Sequence, residues 1–244
     1  MKNYKPILSF DEEAAAVYDE EGDRERALPT VAFLEQLAGG GPALELAIGT
    51  GRVALPLSER GIRVDGIDFS PAMVAKLRAK PGGDQIAVTM GNFAEVPVQG
   101  TYRLIFLVFN TLFNLLTQDD QVRCFENVAA HLSEDGSFVV EAFVPTNYAR
   151  LRGDQYVDAE AIDVDRVTLD VGRLDPVKQL YYESHVVLSR EGVRLYPIVC
   201  RYAWPSELDL MARIAGLRLK ERWGGWSHEP FTAASTSHVS VYGR

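Results

Sequence analysis

The 244-residue chain is 47% hydrophobic and 24% charged, which suits one ordinary α/β domain with room for a small subdomain. Its 25 basic and 34 acidic side chains leave a formal charge of −9, the wrong sign for a phosphate-tracking surface, so no nucleic acid partner is expected. No apolar run approaches the roughly 18 residues of a bilayer span, no signal-like region follows Met1-Lys2-Asn3-Tyr4-Lys5, and Cys124 and Cys200 belong to no CxxC or Cys/His set. The expectation is a cytoplasmic protein with reduced thiols and no metal.

Residues 11–38 read as helical, in two pieces separated near Gly22, the second carrying the stripe Ala27, Val31, Leu34 and Leu37. Gly39-Gly40-Gly41-Pro42 stops the pattern. A first strand follows at 43–48, then a glycine turn and a helix over about 52–60. A second strand over 63–67 ends at Asp68. Ser70-Pro71 starts the next helix, with serine as cap and proline in the first turn. The helix carries Met73, Val74 and Leu77 and breaks at Pro81-Gly82-Gly83. A third strand is expected at 86–90. A fourth, at 104–109, is apolar on both faces, as a central parallel strand should be. Thr117-Gln118-Asp119-Asp120 opens a helix with Val122, Phe125, Val128, Ala129 and Leu132 on one stripe. Glu134-Asp135-Gly136 then turns into a fifth strand, 137–143. Strands alternating with helix-length connections imply a parallel sheet covered on both faces.

The pattern changes after Pro145. Three antiparallel strands are expected, at about 161–171, 179–189 and 193–202, with turns at Asp175-Pro176 and Arg190-Glu191-Gly192. On the middle one Tyr181, Glu183 and His185 share a face, and Leu180, Tyr182, Val186 and Leu188 take the other. A helix near 206–215 and strands near 217–223 and 238–242 complete the chain.

The stretch Ala43-Leu44-Glu45-Leu46-Ala47-Ile48-Gly49-Thr50-Gly51 delivers an acidic residue and a Gly-x-Gly turn to a helix N-terminus, where backbone amides without internal partners meet a ligand. Asp68, 17 residues beyond Gly51, is an acceptor for ribose hydroxyls. These two features fit an adenosine-type cofactor without choosing between nicotinamide dinucleotide and S-adenosylmethionine. Met90-Gly91-Asn92-Phe93 after the third strand and Phe109-Asn110-Thr111 after the fourth then bring a resemblance into view. Over about residues 10–145 the chain resembles the class I S-adenosylmethionine-dependent methyltransferases, and its inserted antiparallel sheet resembles the lid of members acting on amino sugars and other natural-product intermediates.

The resemblance implies a Rossmann-like, seven-stranded, mostly parallel sheet with helices on both faces and a small antiparallel β lid. The core would span 1–145 and 204–244, and the lid 146–203. It also implies roles. Glu45, Ala47, Ile48, Gly49, Thr50 and Gly51 would hold the methionine part of the cofactor. Asp68 would take the ribose, Phe69 and Met73 the adenine face, and Gly91, Asn92 and Phe93 its edge. Phe109 and Asn110 would lie near the amino group and sulfonium, and Tyr18 near the carboxylate, with Arg26 a weaker candidate for the same anion. The pattern departs at Ala47, where the family has glycine, and at Asn92, where many relatives have aspartate. Arg52 reads as a solvated helix residue.

The activity implied is in-line methyl transfer to nitrogen or oxygen of a small molecule. It would be driven chiefly by positioning, which supplies roughly 7–11 kcal/mol in well-oriented systems. His185 and Tyr181 are the candidate catalytic groups. Phe113, Phe143, Trp204 and Trp226 are the candidate acceptor-binding groups, and Glu141 and Pro145 should border the same pocket. The expected assembly is a monomer or homodimer. Two alternatives stay open from sequence: an NAD(P)-dependent oxidoreductase, which lacks a Tyr-x-x-x-Lys pair here, and a non-catalytic S-adenosylmethionine-binding protein.

Overall fold

The computed structural model describes residues 1, 4–19, 23–149, 151 and 153–244. The helix break expected near Gly22 lies outside them. After a 3-10 turn at Pro6–Ser9, short helices α1 (Glu12–Val17) and α2 (Asp23–Arg26) lead into α3 (Leu28–Ala38). The core then runs β1 (Ala43–Leu46), α4 (Ala54–Glu59), β2 (Val64–Asp68), α5 (Pro71–Arg78), β3 (Ala87–Met90), β4 (Tyr102–Leu107), α6 (Gln118–His131) and β5 (Leu132–Phe143). A one-turn helix, α7 (Thr146–Ala149), precedes four antiparallel strands: β6 (Gln155–Ile162), β7 (Arg166–Asp175), β8 (Leu180–Ser189) and β9 (Gly192–Arg201). The chain closes with α8 (Pro205–Ile214), β10 (Arg218–Trp223) and β11 (Ser237–Gly243).

The large sheet has the order β10-β11-β5-β4-β1-β2-β3. Strands β1 to β5 pair in parallel, and β11 enters antiparallel between β5 and β10. The chain reverses its direction of winding between β1 and β4, and the crevice at such a switch point is where open α/β sheets bind ligands. One apolar cluster fills the side of α6 and α8, with Phe125, Phe138 and Tyr242 packed edge to face. A second fills the side of α3 and α4, with Val31, Leu34, Phe106 and Val139.

Local chemistry sets the helix ends. Ser70 Oγ accepts from Met73 N at 3.2 Å and Thr117 Oγ1 from Asp120 N at 3.1 Å, caps worth about 1 kcal/mol each. Strand β5 begins earlier than the turn residues Glu134-Asp135-Gly136 suggest. Leu132 already pairs with Tyr102, and the register shifts before Leu104 meets Ser137. The second sheet has four strands, ordered β6-β7-β8-β9, where three were expected. The expected segment 161–171 merges the end of β6 with β7. Gln155–Ile162 carries Asp158 and Glu160 among its apolar residues, so its strand character comes from pairing with β7 and not from its own pattern. No helix is long and apolar enough to cross a membrane among the described residues.

Candidate functional site

Four strand exits of the parallel sheet converge on one rim. At β1, Glu45 is buried, its Oε2 without a hydrogen-bond partner among the described residues, and burial pushes its carboxyl well above the usual range against the Ala54 N–H that holds it. Ala47, Gly49 and Gly51 follow with left-handed backbones, φ 55°, 55° and 78°. The two glycines serve different ends. A Cβ on Gly49 would meet only Ala47 O at 4.0 Å, whereas one on Gly51 would lie 2.4 Å from Leu77 Cδ1. Gly49 therefore keeps the loop open on its outer side, and Gly51 lets the turn seat against α5. Buried Thr50 ties the loop to the N-terminal segment by donating to Asp19 Oδ1 at 2.6 Å, and Ile48 packs in the core, where its side chain fills the space beside Gly66.

At the end of β2, Asp68 accepts from Gly49 N at 2.7 Å and Ser70 N at 2.8 Å. Burial raises its carboxyl pKa, with these amides and that of Phe69 opposing. Phe69 meets Phe10 edge to face at 5.8 Å. Phe93, beyond β3, turns inward, while Asn92 is exposed and spans its own turn by accepting from Ala94 N at 2.9 Å.

The β4 exit is the most constrained. Phe109 and Asn110 both adopt left-handed backbones, φ 56° and 61°, a rare state for a bulky residue such as Phe109. Strand β5 holds them there. Phe109 N donates to Glu141 Oε2 at 2.8 Å, and Asn110 Oδ1 accepts from Phe143 N at 2.6 Å. Trp226 Nε1 donates to the other oxygen of Glu141 at 3.1 Å. Burial raises the Glu141 carboxyl despite both donors.

Between these exits lies a narrow slot of about 40 Å³, lined by Ala47, Gly49, Asp68, Met73 and Phe93, with Phe10 and Tyr18 closing over it. The residues fit an adenosyl sulfonium: a buried acid with one oxygen unpartnered among the described residues, an acceptor for ribose hydroxyls, a loop with no Cβ at its open side, and apolar walls for a purine. Arg52 differs from the expectation of a solvated residue. Its guanidinium stands 5.2 Å from the Tyr18 ring centroid and 4.9 Å from that of Phe109, and it donates to Tyr18 O, because the N-terminal segment folds back over it.

A cavity of about 900 Å³ adjoins the slot and shares Phe10, Tyr18, Thr111 and Asn114 with it. Phe109 and Asn110 bound it on the core side, and Tyr181, Glu183, His185 and Tyr196 on the β8–β9 side. The face-sharing expected of Tyr181, Glu183 and His185 thus points all three into one space.

Their states differ. His185 sets Nδ1 2.9 Å from Asp170 and Nε2 3.2 Å from Glu160, so both nitrogens are committed to carboxylates. Burial pushes the Tyr181 phenol well above its ordinary value, which keeps it a neutral hydroxyl. Burial also raises Glu183, against a hydrogen bond donated by Tyr156 at 2.5 Å. The Tyr156 ring reaches Glu183 by crossing Gly172, where a Cβ would sit 2.3 Å from it.

The four residues expected to bind the acceptor are not among those lining the cavity. Phe113 is fully buried and packs on Phe143 at 4.9 Å. Phe143 turns toward Tyr148 and Tyr181 within the aromatic core. Trp204 caps α8 at the surface. Trp226 lies on Phe33 and serves Glu141. Glu141 and Pro145 are likewise absent from the lining. Among the residues that line the cavity and escaped sequence reasoning are Phe10, Thr111, Asn114, Tyr196 and Ile198. Only Thr111 and Asn114 carried a signal, by following Phe109-Asn110 directly.

A family model described as a methyltransferase domain matches residues 43–136, the span from β1 into β5. The CcbJ methyltransferase of Streptomyces caelestis superposes with a TM-score of 0.89 at 35% identity, covering 98% of this chain and 99% of that one. The cypemycin N-terminal methyltransferase of a Streptomyces species is 26% identical over 205 residues, 84% of each chain. CalS10, an amino pentose methyltransferase of Micromonospora echinaspora, shares the fold with a TM-score of 0.68 at 19% identity, over 94% of each chain.

Proposed function

The chain belongs to the class I S-adenosylmethionine-dependent methyltransferases, and from that premise we propose that it methylates a nitrogen of a small natural-product amine held in the cavity beneath the β6–β9 sheet. The observation that carries this reading is the placement of Glu183, a largely buried carboxylate with a raised pKa, on the wall of a cavity that meets the slot at Phe10, Tyr18, Thr111 and Asn114. Amine-directed members such as the amino pentose and N-terminal methyltransferases above point the same way.

When bound, S-adenosylmethionine supplies a methyl group already activated by its sulfonium. Glu45, the 47–51 loop, Asp68, Phe69, Met73 and Phe93 hold it, with Phe109, Asn110 and Tyr18 at the cavity end; Gly91 and Asn92 frame the β3 exit. An amine arrives largely as an ammonium, which has no lone pair to attack. Glu183 attracts that cation and takes its proton, and a carboxyl pKa raised toward the working pH makes it a better acceptor. Tyr156 fixes the orientation of the carboxylate. Tyr181 offers a neutral hydroxyl for positioning. His185, with a carboxylate beside each ring nitrogen, steadies Asp170 and Glu160. The N-terminal segment and the lid exclude water from the sulfonium, whose charge disperses during transfer. On this reading the insertion at 146–203 is a substrate subdomain and the rest is the cofactor-binding core.

The test is a panel of amines, alcohols, phenols and carboxylates assayed for S-adenosylhomocysteine release, with the methylated atom located by mass spectrometry. Amine products are expected. Glu183→Gln should cut kcat by about 10²–10⁴ near neutrality and recover as pH approaches the amine's own pKa. Exclusive O-methylation, or an E183Q enzyme with the wild-type pH profile, overturns the proposal.

A further inference from the structure

The acceptor cavity carries opposite charge at its two ends. Along its lid wall, alternate residues of β8 run from Tyr181 through Glu183, His185 and Val187 to Ser189. The Tyr181 end lies at the slot. Its neighbour on β9, Cys200, donates from Sγ to Oδ1 of Asn114 at 3.4 Å, and Asn114 lines slot and cavity alike. At the other end Arg194 of β9 stands opposite Val187, Arg166 of β7 stands opposite Ser189, and Arg190 follows in the turn.

These arginines are not spent on the protein's own acids. Arg166 and Arg190 have no ion-pair partner among the described residues. Arg194 meets Glu191 at 3.5 Å, beyond the ordinary range of an N–H···O bond. Asp165 and Glu191 are the acids lining this end, so the three arginines leave it one net positive charge, in a chain whose formal charge is −9. The slot end has the other sign, from Glu183 and from Asp170 and Glu160 around His185.

We infer that the acceptor is an elongated molecule with its amine at Glu183 and a carboxylate at the arginine mouth, a specificity that rests on the amine reading above. Four residues of β8 separate Glu183 from the row of Arg194, about 14 Å along the strand. A cavity of about 900 Å³ holds a molecule of that length, and a simple amine would fill one end of it. A guanidinium offers a planar fork that matches a carboxylate. The single net charge of the mouth matches a monoanion. A phosphate monoester, nearly dianionic at neutral pH, would lie against Asp165 and Glu191 with charge left uncompensated. Opposite potentials at the two ends also orient the molecule, drawing the amine inward and holding the carboxylate at the rim.

The test uses ω-amino carboxylic acids of graded chain length and their methyl esters, titrated by calorimetry into the protein loaded with S-adenosylhomocysteine. An acid spanning about 14 Å should bind about tenfold tighter than its ester, and the preference should shrink as salt screens the exposed arginines. Arg166→Gln with Arg194→Gln should abolish the preference and leave the ester's affinity unchanged, which shows that the double variant is folded. Arg213→Gln, at an exposed position of α8, should keep the preference intact. Equal affinity of acid and ester at every length, absence of binding by every acid, or a preference that survives in R166Q/R194Q overturns the inference. So does tighter binding of an ω-amino alkyl phosphate. Failure of the amine reading shows in a separate measurement: Glu183→Gln would then leave the ester's affinity at its wild-type value, whatever the ratio of acid to ester.

Discussion

Asp68 joins two parts of the site through one carboxylate, because its oxygens anchor Gly49 N and Ser70 N while the group stays at the slot. In Asp68→Asn an amide N–H₂ faces one of those N–H donors. Charge-assisted hydrogen bonds contribute about 1.5–3 kcal/mol, so cofactor affinity by calorimetry should weaken roughly ten- to hundredfold. An unchanged dissociation constant would remove Asp68 from cofactor binding. Ala47 sits at φ 55°, a conformation that costs an L-residue about 1–2 kcal/mol. Glycine relieves that strain but adds about 0.5–1 kcal/mol of backbone entropy to the cost of folding. Ala47→Gly should therefore raise unfolding stability by up to about 1 kcal/mol in urea titrations, and a loss of stability would show that the strain is absent. Sequence reasoning located both residues, since a strand-end acid and a motif loop are local signals. It missed Arg52 between Tyr18 and Phe109, because a stacking partner 34 residues upstream leaves no local trace.

At the scale of elements, the lid is joined to the core by a buried polar knot. Arg201, at the end of β9, is 4% exposed and donates to Gln121 of α6, Gln179 before β8 and Glu207 of α8, the last at 2.6 Å. Burial pushes the Glu207 carboxyl upward, but Arg201, Gln179 and Gln118 outweigh it and hold the pKa below its usual value. Removing one partner of such a pair costs about 3–5 kcal/mol, mostly as an unpaired buried charge. Arg201→Met should accordingly destabilise the protein by that order in chemical denaturation. It should also raise the acceptor KM while leaving cofactor affinity intact, because the slot is built on other strands. Equal losses in both affinities would mean that the knot supports the whole fold and not the lid alone. The lid was legible as alternating antiparallel strands, and its polar face was correctly grouped. Strand β6 was partly missed because its acids interrupt the alternation and its partner β7 supplies the order.

For the molecule as a whole, one buried histidine predicts how stability varies with pH. His238 on β11 is fully buried beside Ser240, and desolvation lowers its pKa from 6.5 to about 3, with the nearby Arg222 charge adding to the effect. Between those values the unfolded chain binds a proton that the folded chain refuses. The stability is thus complete above the ordinary histidine range and falls as pH drops, by about 1.4 kcal/mol per unit from this group. The buried carboxyls with raised pKa values, Glu45, Asp68 and Glu141, act in the opposite sense, so the contribution is read by difference. Denaturation of wild type and His238→Leu at several pH values between 7 and about 4 should show a shallower slope in the variant. Parallel slopes would place the titration elsewhere.

Local order in the chain determined the alternation of strands and helices, the glycine turn after β1, the acid that ends β2 and the existence of an antiparallel insertion. Each rests on periodicity or backbone allowance within a few residues. Tertiary structure alone decided which side chains share the cavity. Phe10 and Tyr18 come from the N-terminal segment, Asn114 from a turn and Glu183 from the lid, and only long-range packing brings them together. The same packing drew Phe113 and Phe143 into the core and set Trp226 behind Glu141, because a large aromatic side chain is stabilised wherever it buries the most surface, and sequence position does not say where that is.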